Sequence, residues 1–385
     1  MLRFVLAAVA ATSVASAQAP NIRVAGRMQL QYRASGGDSS ARYDPAAVDQ
    51  AFLMRRLRIQ ADVRFGDNIL AVIQPSFEMG ALRMRDAYLR VALAPRFYLT
   101  MGQEKSPFQR YELTSSNTLP SIERGVAISG LSLQQEALNN LIVANGYGSH
   151  DLGAFFDYTG DRFTIKAGVQ GGSRESARDV NNAKSYYARG TAVVMTNAED
   201  QPVLQLGASF AARDRAICRT FTGTAGPFTC TAYYSDSSKV TTAVGFDFEW
   251  GGFRPGLHVI ADVAFGDNVP LARRYQSAPL NAANLVNSAD SNIVTFNAIH
   301  LVAAWRLMVG TETSVVRMLE PAFRIDRTDP DSDVGDNQAY LITPALSVYF
   351  TNTVILRAGF DYYTYDMAGQ RFSASQFITS WQANF

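Results

Sequence analysis

Cysteine is nearly missing from this 385-residue chain, which has two, and histidine appears only three times. No histidine lies near a second histidine or a cysteine at metal-ligand spacing, so a metal centre has no local ligand set. Lysine is scarce as well: Lys105, Lys166, Lys184 and Lys239 stand against 31 arginines. An excess of either charge is also missing, since 35 Lys+Arg meet 34 Asp+Glu for a net charge of +1. That balance excludes a polybasic nucleic-acid binder. Charged residues reach only 18% against 47% hydrophobic ones, which excludes a disordered chain. The chain has no Gly-x-Ser-x-Gly elbow, no P-loop and no dinucleotide fingerprint, so nothing points to an enzyme or a cofactor. Past residue 17 no apolar run approaches the roughly 18 residues of a transmembrane helix.

What is present begins with an address. Met1-Leu2-Arg3 is a short positive start, Phe4 to Val14 an apolar run and Ala15-Ser16-Ala17 a small-residue cleavage site. Residues 1–17 therefore read as a signal peptide, and 18–385 as an exported single domain starting at Gln18.

Strict alternation follows. From Leu53 to Phe65 the odd positions include Leu57, Ile59 and Val63, while Arg56, Arg58, Gln60, Asp62 and Arg64 occupy the even ones. The same two-residue period sets Ile22, Val24, Met28 and Leu30 against Arg23, Arg27 and Arg33. It recurs around Phe163 and Ile165 and around Phe246 and Phe248. Sixteen strands are expected, at about 22–33, 52–65, 68–78, 83–93, 96–104, 151–159, 162–171, 186–196, 202–213, 239–250, 253–264, 293–308, 312–326, 338–350, 353–365 and 372–385. Short links such as Gly66-Asp67, Gly160-Asp161 and Gly251-Gly252 follow every second strand. Mostly longer loops lie between them, at 34–51, 105–150, 172–185, 214–238 and 265–292. A soluble sandwich has no reason to alternate short and long connections, nor to use strands of ten or more residues. An even-stranded antiparallel transmembrane β-barrel in the outer membrane of a diderm, Gram-negative-type bacterium has both. The terminal segment agrees, with Phe377, Trp381 and Phe385 on one face where interfacial aromatics are favoured.

The chemistry lies in the arginines. Residues 18–130 carry 15 Lys+Arg and 10 Asp+Glu, a surplus of five; the rest of the mature chain carries 19 against 24. By the pleat, Arg23, Arg27, Arg33, Arg56, Arg58 and Arg64 face the lumen, opposite the lipid-facing apolar set. A guanidinium stays charged and offers a fork that matches phosphate or carboxylate oxygens, so such a wall favours anions. The plainer alternative is a set of scattered lumenal charges paired with acids across the pore. The connection 105–150 is too long for an ordinary loop, and is expected to fold inward and narrow the channel; a surface excursion is the alternative. Cys218 and Cys230 share one long connection of an exported chain, where a disulfide is expected and a reactive thiol pair or metal clip is the other option.

Several stretches come together in order: Arg55-Arg56-Leu57-Arg58, Asp86-Ala87-Tyr88-Leu89, Met101-Gly102-Gln103-Glu104-Lys105-Ser106-Pro107-Phe108, Leu113-Thr114-Ser115-Ser116 and Glu123-Arg124. This resembles the phosphate-selective porin O/P family, most specifically across 52–130. The resemblance implies a sixteen-stranded, usually trimeric barrel whose third long loop folds inward, passing phosphate along arginines. It places Arg56, Arg58 and Lys105 at the constriction. Arg55 matches too, although strict pleating turns it toward lipid, so it requires a bulge or an interfacial position. Glu104 stands where an apolar or aromatic residue is usual, and Gln109 where glycine is expected. The resulting reading is a passive channel that prefers small anions such as phosphate, working as a homotrimer in lipid without cofactor. The alternatives are a barrel that anchors the envelope or a surface layer, and a barrel enzyme.

Overall fold

A computed structural model of the protein describes residues 19–38, 49–129, 137–172, 175, 184–222, 229–252, 255–268, 293–367 and 369–385, apart from the side chains at 215–239 and 367. Residues 1–17, read above as a signal peptide, and the side chains of the expected Cys218–Cys230 disulfide thus lie outside the described residues.

Sixteen strands form one closed antiparallel ring in sequence order. They are β1 (Asn21–Gly37), β2 (Gln50–Phe65), β3 (Ile69–Glu78), β4 (Ala81–Ala94), β5 (Phe97–Lys105), β6 (His150–Thr159), β7 (Phe163–Gln170) and β8 (Ser185–Thr196). The second half comprises β9 (Pro202–Thr222), β10 (Thr229–Trp250), β11 (Gly256–Asn268), β12 (Val294–Met308), β13 (Met318–Asp329), β14 (Ala339–Tyr349), β15 (Val354–Met367) and β16 (Gln370–Asn384). Two short helices, α1 (Arg110–Leu113) and α2 (Leu138–Asn145), lie between β5 and β6. At about 3.4 Å per residue and a tilt near 40°, ten residues climb about 25 Å, the height of the apolar band of an outer-membrane barrel.

The alternation read in the sequence sorts the two faces. Ile59, Phe163, Ile165 and Phe246 are exposed, as are Phe377, Trp381 and Phe385, while Leu57, Val63 and Phe248 are partly so. Arg27, Gln29, Gln31 and Arg33 on the other face are buried. Closure depends on the first and last strands: β1 pairs with β16 from Arg27 opposite Asn384 to Gly37 opposite Ala374. Beyond that ladder the Gly26 N–H donates to Phe385 O (2.7 Å) and the Phe385 N–H to Gly26 O (3.0 Å). The Phe385 ring lies where a Cβ on residue 26 would sit, close to the Arg58 carbonyl, so a larger residue there would have to displace the ring.

Two expectations need correcting, and the expectation of mostly longer loops meets two exceptions. The connection placed at 214–238 is mostly strand, because β9 and β10 run on as a paired hairpin to Thr222 and from Thr229. Thr220, Phe221, Thr222, Tyr233 and Tyr234 are strand-forming types, and they outweigh the flanking serines and charges such as Arg219, Ser235 and Asp236. The strand expected from 312 starts at Met318, since Val309 and Gly310 both donate to Arg317 O and Ser314 closes a turn on Thr311. Finally, β3–β4 and β15–β16 are joined by two-residue links on the side otherwise used by longer connections.

Candidate functional site

The register of β2 departs from strict pleating at one place. Gln29 pairs with Arg56 and Leu30 with Met54, so Arg55 is the extra residue of a β-bulge. The bulge turns Arg55 to the same side as Arg56, resolving the conflict between the pleat and the family pattern. A second bulge lies across β3 and β4, where Gln74 pairs with Asp86 and Pro75 with Met84. Pro75 has no N–H to give to the ladder, and the extra residue opposite it is Arg85. Two bulges therefore each add one arginine to the inner face.

These arginines converge on two carboxylates. Glu123 accepts from Arg55 Nε (2.7 Å) and Nη2 (3.1 Å), Arg56 Nη2 (2.9 Å), Arg33 Nη2 (3.1 Å) and Gln31 Nε2 (3.0 Å). Burial works to raise its pKa, but the guanidiniums of Arg55, Arg56 and Arg33 outweigh burial and hold the carboxyl well below the usual range. Glu78 is the second hub: it pairs with Arg58 and Arg85, and Arg55 Nη1 lies 3.9 Å away. Beside them Lys105 Nζ pairs with Glu112 (2.8 Å), which also accepts from Asn139 (2.6 Å). Burial works to raise the Glu112 pKa as well, yet Lys105 and Arg124 bring it below its ordinary value.

Around these groups lies a cavity of about 560 Å³. Arg27, Arg55, Arg56, Arg58, Arg85, Lys105 and Arg124 line it, against Asp86, Glu112 and Glu123. With Glu78 counted among the acids, cations still exceed carboxylates by three. A second cavity of about 380 Å³, reaching toward Lys166, Asp157 and Arg189, shares Asp86, Lys105 and Leu113 with the first. Glu104 lines this second cavity, bound to Lys166 at 2.6 Å.

The residues expected from the sequence separate into two groups. Arg27, Arg56, Arg58 and Lys105 line the first cavity, and Arg33 joins it through Glu123. Arg23 and Arg64 are exposed near the β2–β3 turn and do not line it. Arg85, Arg124 and the hubs Glu78, Glu112 and Glu123 were not among the expected site residues. For Arg85 the proline inside strand β3 was the readable signal.

The described parts of the segment between β5 and β6, residues 106–129 and 137–149, bond to or pack against strands on several sides of the ring. Asp262 on β11 accepts the N–H groups of Arg110 (2.9 Å) and Tyr111 (3.3 Å), and Glu249 on β10 takes Arg110 Nε (2.5 Å). Arg324 on β13 donates to Glu123 O (2.9 Å) and Arg124 O, and Arg357 on β15 to Asn117 O (2.7 Å). Arg27 on β1 reaches Asn117 Oδ1 (2.6 Å). Phe108, Leu141, Ile142 and Tyr147 pack with Ala211, Ala243, Ala264 and Ala298 of β9 to β12. Small side chains on the inner face there make room for α2, and those alanines were visible in the sequence. Gln109, where the family pattern has glycine, adopts φ 61° and ψ 147°, a region that glycine occupies freely and other residues rarely. Among the described residues no group of three or more His, Cys, Asp or Glu could hold a metal ion.

Comparison with known proteins gives a consistent picture. A family model described as phosphate-selective porin O and P matches residues 22–228. Among solved structures, the in-vitro folded outer-membrane protein OmpT of Vibrio cholerae is 11% identical with a TM-score of 0.55, covering 96% of this chain and 98% of that one. The anion-selective porin of Comamonas acidovorans is 9% identical at a TM-score of 0.55, over 95% and 100% of the two chains. OprB of Pseudomonas putida at high pH is 11% identical at a TM-score of 0.53, over 94% of each. These likenesses concern the fold. No curated protein sequence matches the chain.

Proposed function

The chain belongs to the phosphate-selective porin O and P family and is an outer-membrane porin of a Gram-negative bacterium, and from that premise we propose that its pore passes small anions, phosphate among them, in preference to cations. One observation carries the reading: the first cavity is lined by more cations than carboxylates. Fixed positive charge in a narrow pore lowers the barrier for an anion and raises it for a cation. Screening acts over about 8 Å at physiological ionic strength, so an ion closer than that to these groups feels their charge.

In this reading the segment 106–149 is folded into the lumen and forms the constriction. Its hydrogen bonds to β1, β2, β10, β11, β13 and β15 of a closed ring support this reading. Arg27, Arg33, Arg56, Arg58 and Lys105 then supply the field at the narrow part, with Arg55, Arg85 and Arg124 beside them. Arg23 and Arg64 act at the mouth, attracting anions without contacting them in the constriction. Homotrimers are the assembly that this reading carries with it.

The test is the reversal potential of the purified protein in a planar bilayer under a salt gradient. Anion preference is expected for the wild type, and Arg56→Ala with Arg58→Ala should move the potential toward cations. A cation-preferring wild type, or an unchanged potential in the double variant, sinks the proposal.

A further inference from the structure

Glu123 differs from Glu78, the other carboxylate hub, in taking hydrogen bonds from three guanidiniums rather than two. Three guanidiniums and one amide donate five hydrogen bonds to its two oxygens, at 2.7–3.1 Å. That donor set, forked and planar, is the one a free phosphate or carboxylate would require. Its carboxylate is also placed independently of the arginines it meets. The main chain at Glu123 is held from the far wall by Arg324 and locally by Ser121 Oγ (2.9 Å) and Tyr111 Oη (3.4 Å). The segment therefore delivers a carboxylate into the guanidinium cluster on β1 and β2.

We propose that Glu123 is a tethered anion: it occupies the strongest anion site of the pore and so sets the affinity with which permeant oxyanions are held. This rests on the anion-channel reading above and deepens it by naming the residue that tunes selectivity. An intramolecular ligand competes at a high effective concentration, so a free anion displaces it only weakly. Permeant anions then bind to what Glu123 leaves over. Arg27 is part of this remainder, buried in the same cavity with Asn117 as its hydrogen-bond acceptor. Arg56 Nε, buried and without a hydrogen-bond partner, is another unused donor of the cluster. The consequence is a pore that attracts oxyanions yet releases them quickly. Without the tethered carboxylate, Arg33, Arg55 and Arg56 would form a high-affinity site for a dianion.

Block of chloride current by inorganic phosphate in planar bilayers measures this directly. Glu123→Gln should lower the half-blocking phosphate concentration by roughly tenfold or more, the scale of one lost charge-assisted interaction. Glu320→Gln removes one carboxylate elsewhere, paired with Arg306 between β12 and β13, and should change the block by less than about twofold. Glu123→Ala gives a second readout. Free acetate should compete with phosphate in that variant and leave the wild type unaffected. Heat-modifiable migration on gels establishes that each variant forms its barrel. If Glu123→Gln fails to form one, the acetate competition in Glu123→Ala decides. An unchanged or weaker phosphate block in Glu123→Gln, an equal gain in Glu320→Gln, or acetate without effect on Glu123→Ala would each overturn the proposal. The wild-type reversal potential separates the two ideas: cation preference there defeats the channel reading itself, whereas anion preference with unaltered block defeats only the role of Glu123.

Discussion

Single residues here do work that a regular pleat would not allow. Arg55 reaches Glu123 because one residue is inserted in β2, and Arg85 reaches Glu78 because Pro75 breaks the ladder opposite it. Arg55 could be placed by its neighbours only as a conflict between pattern and pleat, since a bulge depends on the partner strand as much as on its own. Gln109 is the opposite case, a residue whose type disagrees with its backbone. At φ 61° and ψ 147° a side chain carries strain of about 1–3 kcal/mol, of which glycine's extra chain entropy returns about 0.5–1. Gln109→Gly is therefore expected to stabilise the barrel by on the order of 1 kcal/mol. A rise in the midpoint of urea unfolding checks this, and a fall would mean that the packing of the Gln109 side chain beside Gly245 matters more.

At the level of elements, the segment between β5 and β6 is the part that turns a generic barrel into a particular one. Its N-terminal end is held where Asp262 accepts two successive N–H groups of α1, and its middle is held by Arg324. Asp262→Ala leaves both N–H groups without that acceptor, a loss of about 1–3 kcal/mol for the anchored conformation. Larger unitary conductance, noisier open-channel current and weaker cation exclusion are expected in single-channel recordings. Recordings identical to the wild type would show that the apolar packing of Phe108 and Tyr147 suffices to hold the segment. Its length alone marked the element as unusual. The contacts themselves span residues more than a hundred positions apart, as between Arg110 and Asp262, and no local pattern encodes them.

For the whole molecule, closure is the decisive event, because an open sheet in lipid would leave two edges of unpaired backbone groups. The seam joins β1 to β16 and ends where Phe385 covers Gly26. Gly26→Val would push a side chain into the Phe385 ring and the Arg58 carbonyl, an overpacking of about 1–3 kcal/mol at the last ladder position. The temperature at which the barrel loses its compact migration on gels should drop, and an unchanged temperature would show that the seam does not depend on this contact.

The sequence by itself determined the strand content, the number of strands, the two faces and the basic character of the first third. Each follows from a period of two and from counting charges, both local properties of the chain. Only the tertiary structure decided which arginines act together. Arg33, Arg55, Arg56 and Glu123 meet because a bulge resets the pleat of β2 and a distant segment of the chain bonds back to β1 and β2. The same step removed Arg23 and Arg64 from the cavity and brought in Arg85 and Arg124. Charge at a distance is a sum that composition can estimate, whereas contact between charges is geometry, and the ring supplies the geometry.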